Sequence, residues 1–521
     1  MTLGSNHTAK NGGLSKKELL PAKIALVILD GWGNGPRDGS NPIYAAQPKN
    51  IGFIKKNFSI TSLQASGLAI GLPWEEEGNS EIGHLAIGAG RMVFQDFPRI
   101  SAGIKDGSFF RNSAILDLIN YAKQSGAKLN LVGLIGEGNI HSSFEHLRAL
   151  LSMLGQNNLP DFNLHLITDG RDGSPKKCLD LVRELPLEKI ASISGRFYAM
   201  DRDNHLERTV LAFSTMTGQG KTTSDPIKAM EESYNRGVTD EFIEPIVISP
   251  ARGIKENDAV LFFNFREERM RQLVKMFMEK MPSLKMASFT GYGRDFSSLP
   301  VAFPRPRPEN TLAEIIAKAN ILQLRVAESE KGAHVTYFFN AEREEPFPNE
   351  YRAIAPSRKI ANPDKYPEMM AEDITNRIIS AMEEGIYGFI LANYANPDII
   401  GHTGNFDAVV KAVQVIDEQV GKLMDTALKT GTTLIITSDH GNAERLLDPL
   451  TGLPETKHNS SPVPFYVVAE SFRRPKEDWL VDSAEKEVSG SLCDIAPTVL
   501  ELMGLDKPEE MTGQNLLPFL K

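Results

Sequence analysis

Three aspartates and three histidines stand in polar clusters, several of them just after apolar runs, where an α/β protein exposes polar side chains. Asp30 closes the run IALVIL and precedes Gly31-Trp32-Gly33, a turn that lets a carboxylate point away from a sheet edge. Asp439 and His440 follow TTLIIT in the same way, within Thr437-Ser438-Asp439-His440-Gly441-Asn442. Asp398 and His402 follow the run ending at Ala392 and are four residues apart, which on one helical turn aims both at one point. His458 lies in the polar loop Glu455-Thr456-Lys457-His458-Asn459-Ser460. Carboxylate oxygens and imidazole nitrogens suit Mn²⁺, Mg²⁺ or Zn²⁺. Six such ligands are too many for one catalytic ion with open positions but suit a pair. Any one of them alone reads as a cap or a turn residue; the joint pattern reads as a metal centre. Ser80, in Gly78-Asn79-Ser80-Glu81-Ile82-Gly83-His84, reads either as a helix N-cap or as a nucleophile. At a helix N-terminus a hydroxyl meets N–H groups that suit phosphate, and a divalent ion on it would lower its pKa. Beside the metal pattern, the nucleophile reading prevails.

Positioning these residues requires strands that end together. Apolar runs at 23–29, 129–135, 163–168, 258–263, 333–339, 387–392 and 432–437 alternate with amphipathic stretches near 142–154, 205–216, 267–279, 369–384, 405–429 and 493–503. The alternation predicts an α/β fold, with parallel sheets carrying helices on both faces. The 521 residues allow two to four domains. A linker is expected at 303–309 (FPRPRPE), with three prolines in seven residues, and a softer boundary near 92–98. Asp30 and Ser80 precede this middle segment and the other ligands follow it. One metal site therefore needs 23–94 and 310–521 to fold together as a discontinuous metal-binding domain, with 95–305 inserted.

A net charge of -10 gives no bulk attraction for nucleic acid or an anionic membrane. Two cysteines cannot build a disulfide framework, and no apolar run approaches a membrane span. Residues 1–22 read as a disordered extension without a secretory signal, and the chain as cytoplasmic.

Asp30-Gly-Trp-Gly, Asn79-Ser80-Glu-Ile-Gly-His, Asn396-Pro-Asp398-Ile-Ile-Gly-His402-Thr-Gly and Thr437-Ser-Asp439-His440-Gly-Asn together resemble the cofactor-independent (2,3-bisphosphoglycerate-independent) phosphoglycerate mutases of the alkaline phosphatase superfamily. The match runs in order from about residue 23 to the C-terminus. It implies an alkaline-phosphatase-like metal domain with an inserted substrate-binding domain. It also implies two divalent ions, Mn²⁺ or Mg²⁺: Asp398, His402 and His458 would hold one, and Asp30, Ser80, Asp439 and His440 the other. The implied reaction interconverts 3-phosphoglycerate and 2-phosphoglycerate through phosphoserine, without bisphosphoglycerate, in a monomer.

The middle segment is rich in arginine at turns, in Thr168-Asp169-Gly170-Arg171-Asp172, Met200-Asp201-Arg202 through Arg208, and Phe263-Asn264-Phe265-Arg266-Glu267-Glu268-Arg269. Arginine binds carboxylate and phosphate bidentately, although each here could equally pair with a neighbouring acid. By resemblance, Arg171, Asp172, Arg202, Arg208, Arg266 and Arg269 form a substrate clasp with His141 beside them, and Lys331 lies near the phosphoserine. Asp172 is the expected base and His141 a second candidate. His205-Leu206 stands where the family pattern carries Arg-Trp, and Glu267-Glu268 adds negative charge beside the clasp. A phosphatase, sulfatase or phosphopentomutase would use the same metals without needing this arginine set. A catalytically dead binding protein would be expected to lack ligands that are all present here.

Overall fold

The computed structural model describes residues 22–74, 76–448 and 450–520. The expected disordered extension, apart from Ala22, lies outside these residues. The chain forms two compact units, one running to Phe94 and resuming at Arg307, the other Gln95–Pro306.

In the discontinuous unit an eight-stranded sheet has the order Glu350–Ala355, Gln323–Glu328, Phe389–Tyr394, Ile24–Leu29, Thr433–Thr437, Val463–Val468, Ser59–Gln64, Val488–Ser491. The central strand, IALVIL, is buried along its whole length and pairs in parallel with Phe389–Tyr394 and Thr433–Thr437. Its side chains alternate between two cores, as the pleat requires. Ala25, Val27 and Leu29 meet Val409, Val413, Ile416 and Val420 of the helix Phe406–Thr430, while Leu26 and Ile28 join Leu85 and Ala86 of Ser80–Ala89. Burying one such aliphatic side chain contributes about 1.5–3 kcal/mol, so this strand is costly to perturb. The strand Val463–Val468 runs antiparallel to both neighbours, so this sheet is not purely parallel.

The second unit has a six-stranded sheet in the order Ile246–Val247, Ile190–Gly195, Phe162–Thr168, Leu129–Ile135, Ala259–Phe262, Lys285–Ser288, parallel except at Ile246–Val247. Helices cover it through the Leu131, Leu164 and Leu261 core and the Val132, Ile167 and Phe262 core.

Two expected elements differ. The run 333–339 is not a strand: His334–Phe338 is a single π-helical turn, and the sheet strand before it is Gln323–Glu328. Short apolar runs suit either conformation, and Arg325 breaks the apolar signal of the true strand. The helix expected at 267–279 is a 3₁₀ turn, Glu267–Arg269, followed by Arg271–Lys280. Among the described residues, no helix is long and apolar enough to cross a membrane.

Candidate active site

Four adjacent parallel strands of the eight-stranded sheet deliver their C-terminal ends to one edge. Asp30 follows the first, Lys331 the second, Asp398 the third, and Asp439 with His440 the fourth. Gly31 makes the close approach possible. It has φ +72°, and a Cβ there would come within 3.0 Å of the Asp398 backbone.

Asp398 accepts from or faces two imidazoles: Nε2 of His402 and Nε2 of His458 each lie 3.2 Å from its Oδ1 and 3.1 Å from each other. Both Nδ1 atoms lie 2.8 Å from backbone carbonyls, those of Thr456 and Gly78. A carbonyl can only accept, so both Nδ1 atoms carry hydrogen and the Nε2 atoms are the ones turned toward Asp398. One carboxylate oxygen and two imidazole nitrogens thus cluster closely enough to hold a divalent ion. The Asn442 amide donates to the same Asp398 oxygen at 2.9 Å. Burial opposes charge on Asp398, but Lys331 and the two histidines outweigh it and hold the carboxyl well below its usual range.

Ser80 opens the helix Ser80–Ala89, and its Oγ is 3.1 Å from Asp30 Oδ1 and 3.0 Å from His440 Nε2. The N-cap is Asn79, accepting from the Ile82 N–H at 3.0 Å, so the Ser80 hydroxyl does not cap the helix. His440 Nε2 lies 3.4 Å from Asp30 and 3.7 Å from Asp439. Burial lowers the His440 pKa, but Asp439, Asp30 and Asp398 lift it to about 9. One Asp439 oxygen, Oδ2, is buried without a hydrogen bond, the mark of a carboxylate awaiting a cation. Among the described residues, donor atoms of Asp30 cluster with His84 and Asp439 and also with Asp398 and His440, so a cation could be held at this edge. Lys331 is buried, with Nζ 2.6 Å from Asp30, 2.7 Å from Ser80 and 2.8 Å from Asp398. Burial disfavours its ammonium form, yet Asp30, Asp398 and Asp439 together raise its pKa above the ordinary value.

His84 carried no assigned role in the sequence reading. Its Nδ1 donates to the Ser80 carbonyl at 2.8 Å and lies 3.2 Å from Asp439, while Nε2 faces the amide of Asn393, which also donates to Asp30. Its spacing of four from Ser80 was the available signal. Glu444, also unforeseen, is buried and accepts from the Gly33 and Asn442 N–H groups at 2.9 Å, tying the Asp30 turn to the loop after Asp439.

The clasp candidates gather at the corresponding edge of the second sheet. Asp172 Oδ2 lies 3.7 Å from His141 Nε2. Burial, then Arg196, pushes His141 down to about 3, with Asp172 opposing and Arg266 and Arg269 adding to the effect. Arg269 feels first its burial and then the charges of Arg202, Arg196 and Arg171. Arg202 and Arg266 share Glu268, at 3.2 and 3.4 Å. Arg171 lies 3.5 Å from Glu241 and is exposed. Arg208 pairs with Asp201 at 3.0 Å and stacks 3.9 Å over Phe197. His205 takes Asp201 as a partner at 3.2 Å.

The Metalloenzyme superfamily model matches residues 22–507. A 2,3-bisphosphoglycerate-independent phosphoglycerate mutase of Clostridium perfringens is 41% identical over 514 residues, 95% of this chain and 99% of that protein. The chain belongs to the 2,3-bisphosphoglycerate-independent phosphoglycerate mutase family. A relative of that name from Methanosarcina barkeri is 42% identical over 517 residues, covering 95% and 98%. The crystal structure of Leishmania mexicana phosphoglycerate mutase at low cobalt concentration matches 96% of this chain and 98% of its own, with 25% identity and a TM-score of 0.61. Membership of this mutase family within a metalloenzyme superfamily, with the donor sets above, makes divalent-metal binding a property of the chain.

Proposed function

We propose that the chain interconverts 3-phosphoglycerate and 2-phosphoglycerate through a phosphoserine on Ser80, without a bisphosphoglycerate cofactor. The observation that carries this reading is the setting of the Ser80 hydroxyl, at a helix start and within 3.1 Å of Lys331, His440 and Asp30. Two divalent ions, Mn²⁺ or Mg²⁺, held by Asp398, His402 and His458 and by Asp30, Ser80, Asp439 and His440, would supply positive charge for the phosphoryl oxygens and acidify the hydroxyl.

Ser80 Oγ bonds to phosphorus as the bond from phosphorus to the glycerate oxygen breaks; the serine loses its proton and the departing glycerate oxygen gains one. Lys331 neutralises charge on the phosphoryl group. Arg171, Arg202, Arg208, Arg266 and Arg269, with His141, retain glycerate by its carboxylate while it turns. Asp172 takes the proton of the second hydroxyl as that oxygen attacks the phosphoserine, and Ser80 recovers its proton on leaving. The Gln95–Pro306 unit is thus the substrate-binding domain and the discontinuous unit the phosphatase-like metal domain. We place the enzyme in the cytoplasm as a monomer, acting on a small molecule without nucleic acid or membrane.

The test is an assay with 3-phosphoglycerate on metal-stripped protein, with and without Mn²⁺ or Mg²⁺ and with no bisphosphoglycerate. The reading expects 2-phosphoglycerate only when metal is restored. Inorganic phosphate as the main product would make the protein a phosphatase.

A further inference from the structure

Arg196 does not belong to the expected clasp, yet it sits beneath it. The strands Phe162–Thr168 and Ile190–Gly195 pair with Thr168 opposite Gly195, so the next residues, Asp169 and Arg196, leave the sheet edge side by side. Both side chains are buried, Arg196 to 4% and Asp169 to 3% exposure. One guanidinium nitrogen, Nη1, bonds two carboxylates: Asp169 Oδ1 at 2.5 Å and Asp172 Oδ2. Asp169 Oδ1 also accepts the N–H groups of Arg171 and Asp172, at 3.3 and 3.2 Å, which curls the loop carrying both. Gly136 leaves the room for this: a Cβ there would come within 2.7 Å of Asp169 Oδ2.

We propose that Arg196 is a positioning residue for the reaction, anchored by Asp169 and holding one oxygen of Asp172 so that the other is presented to the glycerate hydroxyls. This rests on the mutase reading with Asp172 as base. The neighbouring His141 is pushed down to about 3, chiefly by burial and then by Arg196 itself, so at neutral pH the cation against Asp172 is Arg196 and not His141. A carboxylate pinned at one oxygen loses side-chain freedom before substrate arrives, and a misplacement of about 1 Å at a reacting group can cost about a hundredfold in rate.

The experiment compares Arg196→Met, Arg196→Lys, Asp172→Asn and the double variant Arg196→Met/Asp172→Asn, each checked for folding by circular dichroism and thermal unfolding. Arg196→Met should lower kcat about a hundredfold with KM for 3-phosphoglycerate within about threefold of wild type, and Arg196→Lys should recover at least about tenfold of that loss. Because Arg196 acts through Asp172, adding Arg196→Met to Asp172→Asn should slow the enzyme by less than about threefold. Full multiplication of the two losses, or a raised KM with kcat kept, would overturn the proposal. If Arg196→Met fails to fold, Arg196→Lys on Asp172→Asn carries the same comparison. A wild type that makes no 2-phosphoglycerate would sink the mutase reading and this inference with it; an active wild type with additive losses sinks the inference alone.

Discussion

Methionine in place of Lys331 keeps most of the side-chain volume and removes the ammonium that bridges Asp30, Ser80 and Asp398 at 2.6, 2.7 and 2.8 Å. Removing one partner from a buried charge pair costs about 3–5 kcal/mol, because the carboxylates left behind stay desolvated. The unit that holds the site has roughly 300 residues, for which a loss of that size lowers the unfolding midpoint by about 5–8 °C. The chemical step should suffer separately. A preorganised donor aimed at developing charge is worth about 10²–10³ in kcat. Because the carboxylates raise the Lys331 pKa, its contribution is fully present at neutral pH, and the comparison can be made there. Turnover of 3-phosphoglycerate and thermal unfolding would be measured on Lys331→Met and wild type, metal-stripped and with Mn²⁺. The metal-stripped variant should show the full loss in midpoint, and Mn²⁺ should restore more of it than it adds to wild type, since Asp30 and Asp398 then need the added cation more. Near wild-type turnover together with an unchanged midpoint would refute the placement of Lys331 at the centre of the site.

Ser80→Ala should cut turnover by about 10⁴-fold or more while unfolding at close to the wild-type temperature, because the cap is Asn79; appreciable activity would assign the phosphate to another nucleophile. Exhaustive chelation should abolish activity and lower the unfolding midpoint, both restored by Mn²⁺ or Mg²⁺; full activity after verified metal removal would contradict the metal reading. Burial holds His146 down to about 4 and His165 down to about 3, below the 6.5 of an unfolded histidine. Between pH 6.5 and those values the unfolded chain binds the extra protons. Stability is therefore whole above about pH 6.5 and declines on acidification, by on the order of 3 kcal/mol for His146 alone, and His146→Gln should flatten that decline in thermal melts.

The runs IALVIL, 387–392 and 432–437 could be recognised from sequence because a parallel strand buried on both faces is apolar at nearly every position. Gln323–Glu328 could not, since its register carries Arg325 into the core, stacked 5.0 and 5.4 Å from the rings of Phe339 and Phe389. The neighbouring apolar segment 333–339 attracted the strand assignment instead. Asn79 and Ser80 are both good caps, and sequence alone does not say which of two adjacent residues takes the position.

The strand-end positions of Asp30, Asp398, Asp439 and His440 were legible because each follows a recognisable strand and those strands are neighbours, whereas His458 lies in a loop. The groups that support them were less legible. His84, Asn393 and Glu444 act through contacts across 309 to 411 residues of chain, which no local pattern records. The pairing of Asp169 with Arg196 likewise depends on the register between two strands. Arg208 shows the same limit. The resemblance assigned it to the clasp, whereas its ion pair with Asp201 and its stacking on the Phe197 ring were not readable from the sequence.

The central claim is that the phosphoryl group leaves Ser80 for the same glycerate that brought it. Charge-assisted contacts to a retained glycerate make the return transfer effectively intramolecular, which outruns attack by water or exchange with free glycerate. Incubating the metal-loaded enzyme with unlabelled 3-phosphoglycerate and labelled free glycerate measures this directly. The account predicts 2-phosphoglycerate carrying almost no label, whereas rapid label incorporation, or inorganic phosphate as the chief product, would contradict it.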